Sequence, residues 1–268
     1  MKLQEELKDS GFVVIASHVQ NVPKDDVIQF LRQQKVNFTV TSGGDVPGDT
    51  ANTIPRAFLF DSKGRLVERG LPSELKAKIP ALVASEPHWL AAGRDYTKLK
   101  PVAESLKTAK SYGPILKKLD GEMKGSGPAA EEAKYLSERI LGHGKSKLEK
   151  AKAMEGEDPF PAQQLYTDIS LQWKGSEPGT EAAKRLKELK GDKEFQKELK
   201  ASTVAHQILA QCDKLVAQQG KINLEYAPNR EIAASVRSLV PALKKKYAGT
   251  KAASTISQLL EPYGFKDL

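Results

Sequence analysis

The sequence predicts an α/β domain at the start of the chain and an all-α helical domain after it. Residues 1–83 alternate β-branched apolar runs with amphipathic helical windows, which is typical of layered α/β domains. From about residue 84 onward helical periodicity dominates, and no strand pattern of comparable strength follows. We therefore predict an α/β domain at 1–83, a linker at 84–97 and an all-α domain, either a bundle or a set of helical hairpins, at 98–268.

The first predicted elements are a strand, a helix and a second strand. "GFVVIASHV" (11–19) is apolar on both faces, as strands buried in a parallel sheet are. "NVPKDDVIQFLRQQKV" (21–36) begins with a capping asparagine and a first-turn proline, which predicts a helix. "NFTVTSG" (37–43) predicts a short strand, and the Gly, Pro and Asp residues that follow predict a loop.

A strand at 56–60, a hairpin and a helix complete the first domain. "AFLF" is apolar on both faces, so we expect this strand to be covered on both sides. "DSKG" (61–64) predicts a hairpin turn, and the partly polar "RLVERG" (65–70) predicts a partner strand near a sheet edge. "PSELKAKIPALVAS" (72–85) predicts a helix that Pro80 kinks or shortens.

Helical patterns fill the second domain. In "PAQQLYTDISLQW" (161–173), Leu165, Ile169 and Trp173 share one face. "KGSGPAAEEAKYL" (124–136) and "KGSEPGTEAAKRL" (174–186) form a faint repeat, in which small residues near a helix start allow close approach of helices. The repeat of a turn followed by a helix resembles tetratricopeptide-like helical hairpins. Its unequal spacing instead favours an irregular bundle, so both alternatives stay open.

The formal net charge of +8 lies wholly in the second part of the chain. Residues 1–92 carry 11 basic and 11 acidic side chains, so the excess belongs to residues 93–268. Basic residues there alternate with acidic or apolar ones, which predicts solvated helix faces with i,i+4 ion pairs. Binding of nucleic acid or an anionic surface is the alternative, but no nucleic-acid motif or aromatic interleaving supports it. The sequence contains no run of 18 apolar residues, so it predicts no transmembrane helix.

The first domain resembles the thioredoxin-like fold, in particular its redoxin/TlpA-type branch. "KLQEELKDSGFVVIASHV" (2–19) is similar to the end of that family's first helix and the strand after it. "IPRAFLFDSKGRLVERG" (54–70) is similar to its cis-proline segment and terminal hairpin. The resemblance implies a cis bond between Ile54 and Pro55. It also implies that backbone groups of Thr53, Ile54 and Pro55 bind an extended partner chain.

The redox centre of that family is missing from this sequence. The family carries a CxxC motif at the start of its first helix, after a central strand, and neither is present here. The single cysteine, Cys212, has Ile208 and Leu215 at helical spacing, which predicts a small buried residue. The absent strand would lie between the strands at 12–19 and 56–60. These strands must then pair directly, accept another segment between them, or leave apolar edges exposed.

Two functional hypotheses follow from this pattern. The first is a redox-inactive protein-binding or scaffold module, whose partner is a protein or an extended peptide. The second is a truncated copy of an exported thiol-disulfide oxidoreductase whose CxxC lies upstream of Met1. "MKLQEELKDSG" has no signal-peptide pattern, so the compartment is left open, as is the oligomeric state.

No catalytic residue, metal ligand or cofactor is predicted for this chain. The histidines are scattered without metal-binding spacing. "GHGKSK" (142–147) has Arg139 where a phosphate loop needs glycine, and no strand precedes it. His18 follows a predicted strand, but a lone histidine without a nearby nucleophile is weak support for a site.

Overall fold

Helices form most of the described chain, and the strands are short. The computed structural model describes residues 2–7, 10–20, 22–34, 36–43, 46, 56–218 and 221–268. In chain order the elements are α1 (Lys2–Leu7), β1 (Ile15–His18), α2 (Lys24–Gln33), β2 (Thr39–Ser42), β3 (Ala57–Phe60), β4 (Leu66–Gly70), α3 (Pro72–Lys76), α4 (Ile79–Ser85), α5 (Lys100–Ser105), α6 (Gly113–Met123), α7 (Pro128–Glu155), α8 (Pro159–Gln172), α9 (Glu177–Gly191), α10 (Lys193–Cys212), β5 (Ala217–Gln218), β6 (Lys221–Ile222), α11 (Ala227–Lys246) and α12 (Lys251–Leu260). The predicted helical second half is therefore present, interrupted by the short β5–β6 pair. Among these helices, none is long and apolar enough to cross a membrane.

The described residues form two compact units. Unit 1 comprises the described parts of Met1–Asn21 and Asn37–His143. Unit 2 comprises those of Val22–Val36 and Gly144–Leu268. Helix α7 contributes residues to both. The domain boundaries predicted from the sequence follow the change in hydrophobic pattern, and they stay a prediction.

The strands of unit 1 form two separate pairs. β1 runs parallel to β2, with Ile15 opposite Thr39 and His18 opposite Ser42. β3 and β4 form an antiparallel hairpin, as the sequence predicts. No pairing joins β1 to β3, and no other described strand lies between them. Of the three arrangements expected for a sheet without its central strand, the described residues have the one with unjoined edges. The assignment of these strands to a thioredoxin-like fold stays a prediction.

The expectation that the strands at 11–19 and 56–60 are covered on both faces is wrong. The side chain of Ile15 is 67% exposed and that of Phe60 is 45% exposed, although Leu59 is buried. The physical reason lies in the pairing. A two-stranded sheet has little surface with which to build a core, and no further described strand extends either pair.

Pro80 divides the predicted helix at 72–85 into two. α3 ends at Lys76 and α4 begins at Ile79, so Pro80 occupies the first turn of α4. A proline there lacks only an N–H that has no partner inside the helix, whereas in a helix interior it removes a hydrogen bond. The predicted shortening is therefore confirmed.

The fully buried residues of unit 1 lie mainly on its helices. Leu119 on α6 and Ile140 on α7 have no exposed surface. The first half of α7 also holds the segment before α5, because the guanidinium of Arg139 donates to the backbone carbonyls of Trp89 and Leu90, each at 2.8 Å. A side chain with five donors is suited to fasten irregular backbone in this way.

Unit 2 has a hydrophobic core built on α10, α11 and α12. Ile208, Val236 and Ile256, one from each helix, are fully buried in it. α8 and α9 pack against each other, and α10 contacts both. Ile169 and Trp173 are also fully buried, which confirms the apolar face predicted for the helix at 161–173.

Candidate functional site

The predicted partner-binding residues Thr53, Ile54 and Pro55 lie outside the described residues. The cis bond between Ile54 and Pro55 therefore stays a prediction. The described chain resumes at Arg56, directly before β3. The candidate site is accordingly built from the described strands of unit 1.

The carboxylate of Asp61 fixes the turn between β3 and β4. It accepts the backbone N–H groups of Lys63 and Arg65, both at 2.9 Å, and Nε of Arg65 at 2.7 Å. The backbone N–H of Arg65 contributes most to lowering the pKa of the Asp61 carboxyl, since a carboxylate that accepts such bonds is held in its charged form. Gly64 has a φ of 76°, a conformation that costs glycine little. The register of the hairpin is therefore set at its turn.

The approach to β1 is held by the side chain of Gln4 on α1. Its amide nitrogen donates to the carbonyl of Phe12 at 3.2 Å, and its oxygen accepts the N–H of Val14 at 2.8 Å. Thr41 on β2 adds a bond from its hydroxyl to the carbonyl of Ala16 at 3.3 Å. A side-chain amide thus takes the place of backbone groups of a neighbouring strand, and it keeps the segment before β1 extended.

One face of β1 and its flanks carries apolar side chains that are open to solvent. Val13, Ile15 and Val19 are 66%, 67% and 56% exposed. Their spacing in steps of two places them on the same side of an extended chain. We call these three residues the β1 apolar face. Exposed apolar surface of this kind is typical of interaction sites. The hairpin adds further exposed apolar side chains, namely Phe60, Leu66, Val67 and Leu71.

The other residues considered from the sequence take structural positions. His18 ends β1, where its carbonyl accepts the N–H of Gly43 at 3.2 Å. Cys212 is fully buried at the end of α10, and burial raises the pKa of its thiol to about 12. Residues 142–147 lie inside α7, so they form no phosphate loop. In the described part of the chain, no group of three His, Cys, Asp or Glu side chains is arranged to hold a metal ion.

A cluster of Asp158, Ser202 and His206 in unit 2 was not predicted from the sequence. The hydroxyl of Ser202 donates to one carboxylate oxygen of Asp158 at 2.5 Å, and Nε2 of His206 lies 2.7 Å from the other. In a catalytic triad the histidine stands between the hydroxyl and the carboxylate, so that it can take the hydroxyl proton. Here the carboxylate of Asp158 lies between the hydroxyl of Ser202 and the ring of His206 instead. Since the N–H of Phe160 also donates to Ser202 Oγ at 3.2 Å, the cluster fastens the start of α8 to α10.

Sequence spacing could not have revealed this cluster. Ser202 and His206 lie 44 and 48 residues from Asp158. Nothing in a single sequence links residues so far apart on different helices. The exposed β1 apolar face was missed for another reason, because the same apolar alternation is expected whether or not a layer covers it.

Comparison of the chain with protein-family models, with curated proteins and with solved structures found no match. The thioredoxin-like resemblance therefore stays a prediction from the sequence, and a function has to be argued from the geometry of the site.

Proposed function

We propose that this protein is a redox-inactive protein-binding or scaffold module that holds an extended polypeptide against the strands of unit 1. The observation that carries the proposal is the β1 apolar face, on a strand that pairs with β2 alone among the described strands. The hairpin of β3 and β4 is likewise an isolated pair. Unit 1 therefore offers two strand pairs that a further strand can extend.

An added strand would supply hydrogen-bond partners to the open backbone edge and would cover the exposed apolar side chains. An extended peptide beside an open strand forms backbone hydrogen bonds, and alternate side chains of the peptide reach one face of the sheet. Covering a Val or Ile side chain contributes about 1.5–3 kcal/mol relative to leaving it in water. The expected partner is therefore an extended segment in which every second residue is apolar. In the thioredoxin-like interpretation, Thr53, Ile54 and Pro55 hold such a segment as well.

The proposal is tested with a library of random linear peptides of about ten residues, selected on the 268-residue chain. Selected peptides are labelled, and their affinity is measured by fluorescence anisotropy. We expect peptides with alternating apolar residues to be enriched. The double variant V13K/I15K should weaken their binding by at least about tenfold, since it places two charges on the face that the peptide covers.

Leu171→Lys provides a control with a single added charge. Leu171 lies on α8 of unit 2 and is 63% exposed, so the change puts a charge on an equally exposed apolar residue. Its peptide affinity should equal that of the unchanged chain. Failure to select any peptide, or equal binding by V13K/I15K, would contradict the proposal. Self-association that V13K/I15K abolishes would also contradict it, because a second copy would then be the occupant of the face.

Both functional hypotheses predict that this chain has no dithiol activity, and Cys212 is the residue on which that prediction is tested. Its thiol is fully buried and its pKa is raised to about 12, so almost no thiolate is present at neutral pH. We expect the native chain to react with a disulfide reagent only after denaturation, and to reduce insulin no faster than buffer does. A fast reaction of the native thiol, or insulin reduction above background, would show that this chain retains thiol chemistry.

A further inference from the structure

A lysine-lined cavity of about 630 Å³ lies in unit 2, remote in sequence from the strands discussed above. Its walls come from the end of α9, one face of α10 and the end of α11. Five lysines and one tyrosine line it, namely Lys190, Lys193, Lys197, Lys200, Lys246 and Tyr247. No Asp or Glu of the described chain is among the lining residues.

Local contacts hold the walls of the cavity together. Asp192 joins α9 to α10 and caps α10 by accepting the N–H of Phe195 at 3.0 Å. Gln196 spans the same corner, since its amide donates to the carbonyl of Leu189 at 3.0 Å. Lys193, Lys197 and Lys200 follow the i, i+4, i+7 spacing that places them on one face of α10.

The end of α11 is tied to the same face of α10. The ammonium of Lys197 donates to the carbonyl of Ala248 at 3.2 Å, just beyond α11. Lys246 lies in the last turn of α11, and its ammonium is 5.3 Å from the ring centre of Tyr247. Lys246 is therefore brought beside the lysines of α9 and α10 by the fold, although it lies far from them in the sequence.

These lysines differ in their ion pairing from other lysines of unit 2. Among the described residues, none of the five ammonium groups makes an ion pair within 4.0 Å. Other lysines of unit 2 do, as Lys145 with Glu177 at 2.8 Å and Lys251 with Glu157 at 2.6 Å. The predicted i,i+4 pairing of basic helix faces is therefore wrong for this cluster. The reason is that the acidic residues of α9 and α10 do not line the cavity.

Helix dipoles explain only part of the cluster. Lys190 and Lys246 lie in the last turns of α9 and α11, where a cation is favourable. Lys193 is the first residue of α10, and there the helix dipole disfavours a cation. Like charges in one cavity also repel each other. A multiply charged anion in the cavity would offset both effects.

We propose that this cavity binds a small molecule that carries several phosphate groups. A terminal phosphate bears about 1.5–2 negative charges at neutral pH and a phosphate inside a chain bears about one, so about three phosphates balance five ammonium groups. Lysine binds phosphate as a compact charge with three donors. The lysines are exposed and surround an open hollow between the ends of α9 and α11 and one face of α10. This clustered arrangement favours a compact ligand over a duplex or a flat anionic surface, which a basic stripe along one face would suit better.

The test measures binding of tripolyphosphate, ATP and inositol hexakisphosphate by calorimetry at about 0.15 M ionic strength. Binding of all three identifies the shared phosphate chemistry, and a preference for one of them identifies its source. In the double variant K193Q/K200Q, affinity should fall by at least about tenfold, because two charge-assisted contacts are removed. Both lysines have side chains without an ion pair among the described residues, so we expect the variant to fold.

The matched control is K117Q/K118Q on α6 of unit 1. Like K193Q/K200Q it removes two positive charges, but from exposed positions outside the cavity. Its affinity should change by less than about twofold. Equal losses in the two variants would mean that binding follows net charge, and the proposal would then be wrong. It would also be wrong if none of the three probes binds, or if duplex DNA or anionic vesicles bind and tripolyphosphate does not displace them.

Discussion

Replacing Gly179 with alanine is expected to lower the free energy of unfolding of unit 2 by about 2–3 kcal/mol. Gly179 lies in the first turn of α9, against the end of α8. A Cβ at this position would stand 2.2 Å from the carbonyl oxygen of Trp173 and 2.5 Å from its carbonyl carbon. Both atoms belong to the backbone, so no side-chain rotation can relieve the clash. The gain in helix propensity from alanine, about 1 kcal/mol, offsets only part of this cost.

The turn at Trp173 has little freedom to move. Its carbonyl accepts both the N–H of Ser176 at 3.0 Å and the hydroxyl of Ser176 at 2.7 Å. The Trp173 side chain is fully buried. To make room for a methyl group at residue 179, the turn must shift together with a buried indole, which explains why a single carbon atom has so large an expected effect.

Gly142→Ala is the matched control for this change. Gly142 lies within α7, is exposed, and has open space where the Cβ would be. Alanine there should stabilise the chain by about 0.5–1 kcal/mol, because glycine is the poorer helix former. Urea unfolding of the parent chain, G179A and G142A at one temperature gives the change in the free energy of unfolding for each variant. A free energy of unfolding for G179A within about 0.5 kcal/mol of the parent would show that the turn adapts.

The sequence predicts the elements of this protein better than it predicts what covers them. The helix faces around Ile169 and Trp173 and the break at Pro80 follow from local periodicity and backbone chemistry, and the structure confirms them. The small residue of the second repeat, Gly179, does permit close approach of α9 to the end of α8. The equivalent position of the first repeat is Ala129, so the repeat alone does not reveal which copy requires glycine.

Surfaces and polar clusters depend on contacts that are distant in the sequence. Ile15 has the same apolar pattern whether it is buried or exposed, and its exposure follows from pairings that periodicity does not specify. The basic cavity joins lysines of three helices, while each run of lysine taken alone resembles an ordinary solvated helix face. These features therefore became visible only when the helices were placed side by side.

A buried carboxylate at the start of α7 leads to the second large expected effect. Glu132 is 2% exposed, and its carboxylate accepts the N–H groups of Thr97, Lys98 and Leu99 at 2.8, 3.0 and 2.7 Å. The hydroxyl of Thr97 adds a further bond at 2.8 Å. These donors lie just before α5, where backbone N–H groups have no partner inside the helix. Glu132 thus caps α5 from another helix.

Acid should remove this contribution in a defined range. Burial by itself raises the pKa of the Glu132 carboxyl, but the bonds from Thr97, Leu99 and Lys98 outweigh it and lower the pKa from 4.5 to about 2. A folded-state pKa below the unfolded one means that the unfolded chain binds the proton more readily. The stabilisation is therefore fully present above about pH 4.5 and is lost as the pH falls towards 2.

The variant Glu132→Gln should lack this stabilisation at every pH, whereas the parent chain lacks it only in acid. A glutamine has one acceptor oxygen in place of two, and its amide group would face backbone donors, so we expect a loss of about 2–3 kcal/mol at pH 7. Between pH 4.5 and 2 the difference from the parent should shrink, because the parent carboxylate becomes protonated. Hydrogen exchange of the amides at 97–105, followed by mass spectrometry, reports the effect within unit 1.

Glu131→Gln separates this effect from a change of charge alone. Glu131 is the preceding residue on α7, 73% exposed, with an ion pair to Arg94 at 3.6 Å. An exposed pair of this kind contributes about 0–1 kcal/mol, so the variant should protect the amides at 97–105 almost as well as the parent chain does. If the two variants changed exchange equally, or if the difference between E132Q and the parent were constant from pH 7 to 2, the carboxylate of Glu132 would not be the cap of α5. A difference between E132Q and the parent that starts to shrink near pH 4.5 and goes on shrinking towards pH 2 is the outcome that a lowered pKa requires, because an ordinary exposed glutamate is almost fully protonated well above pH 2.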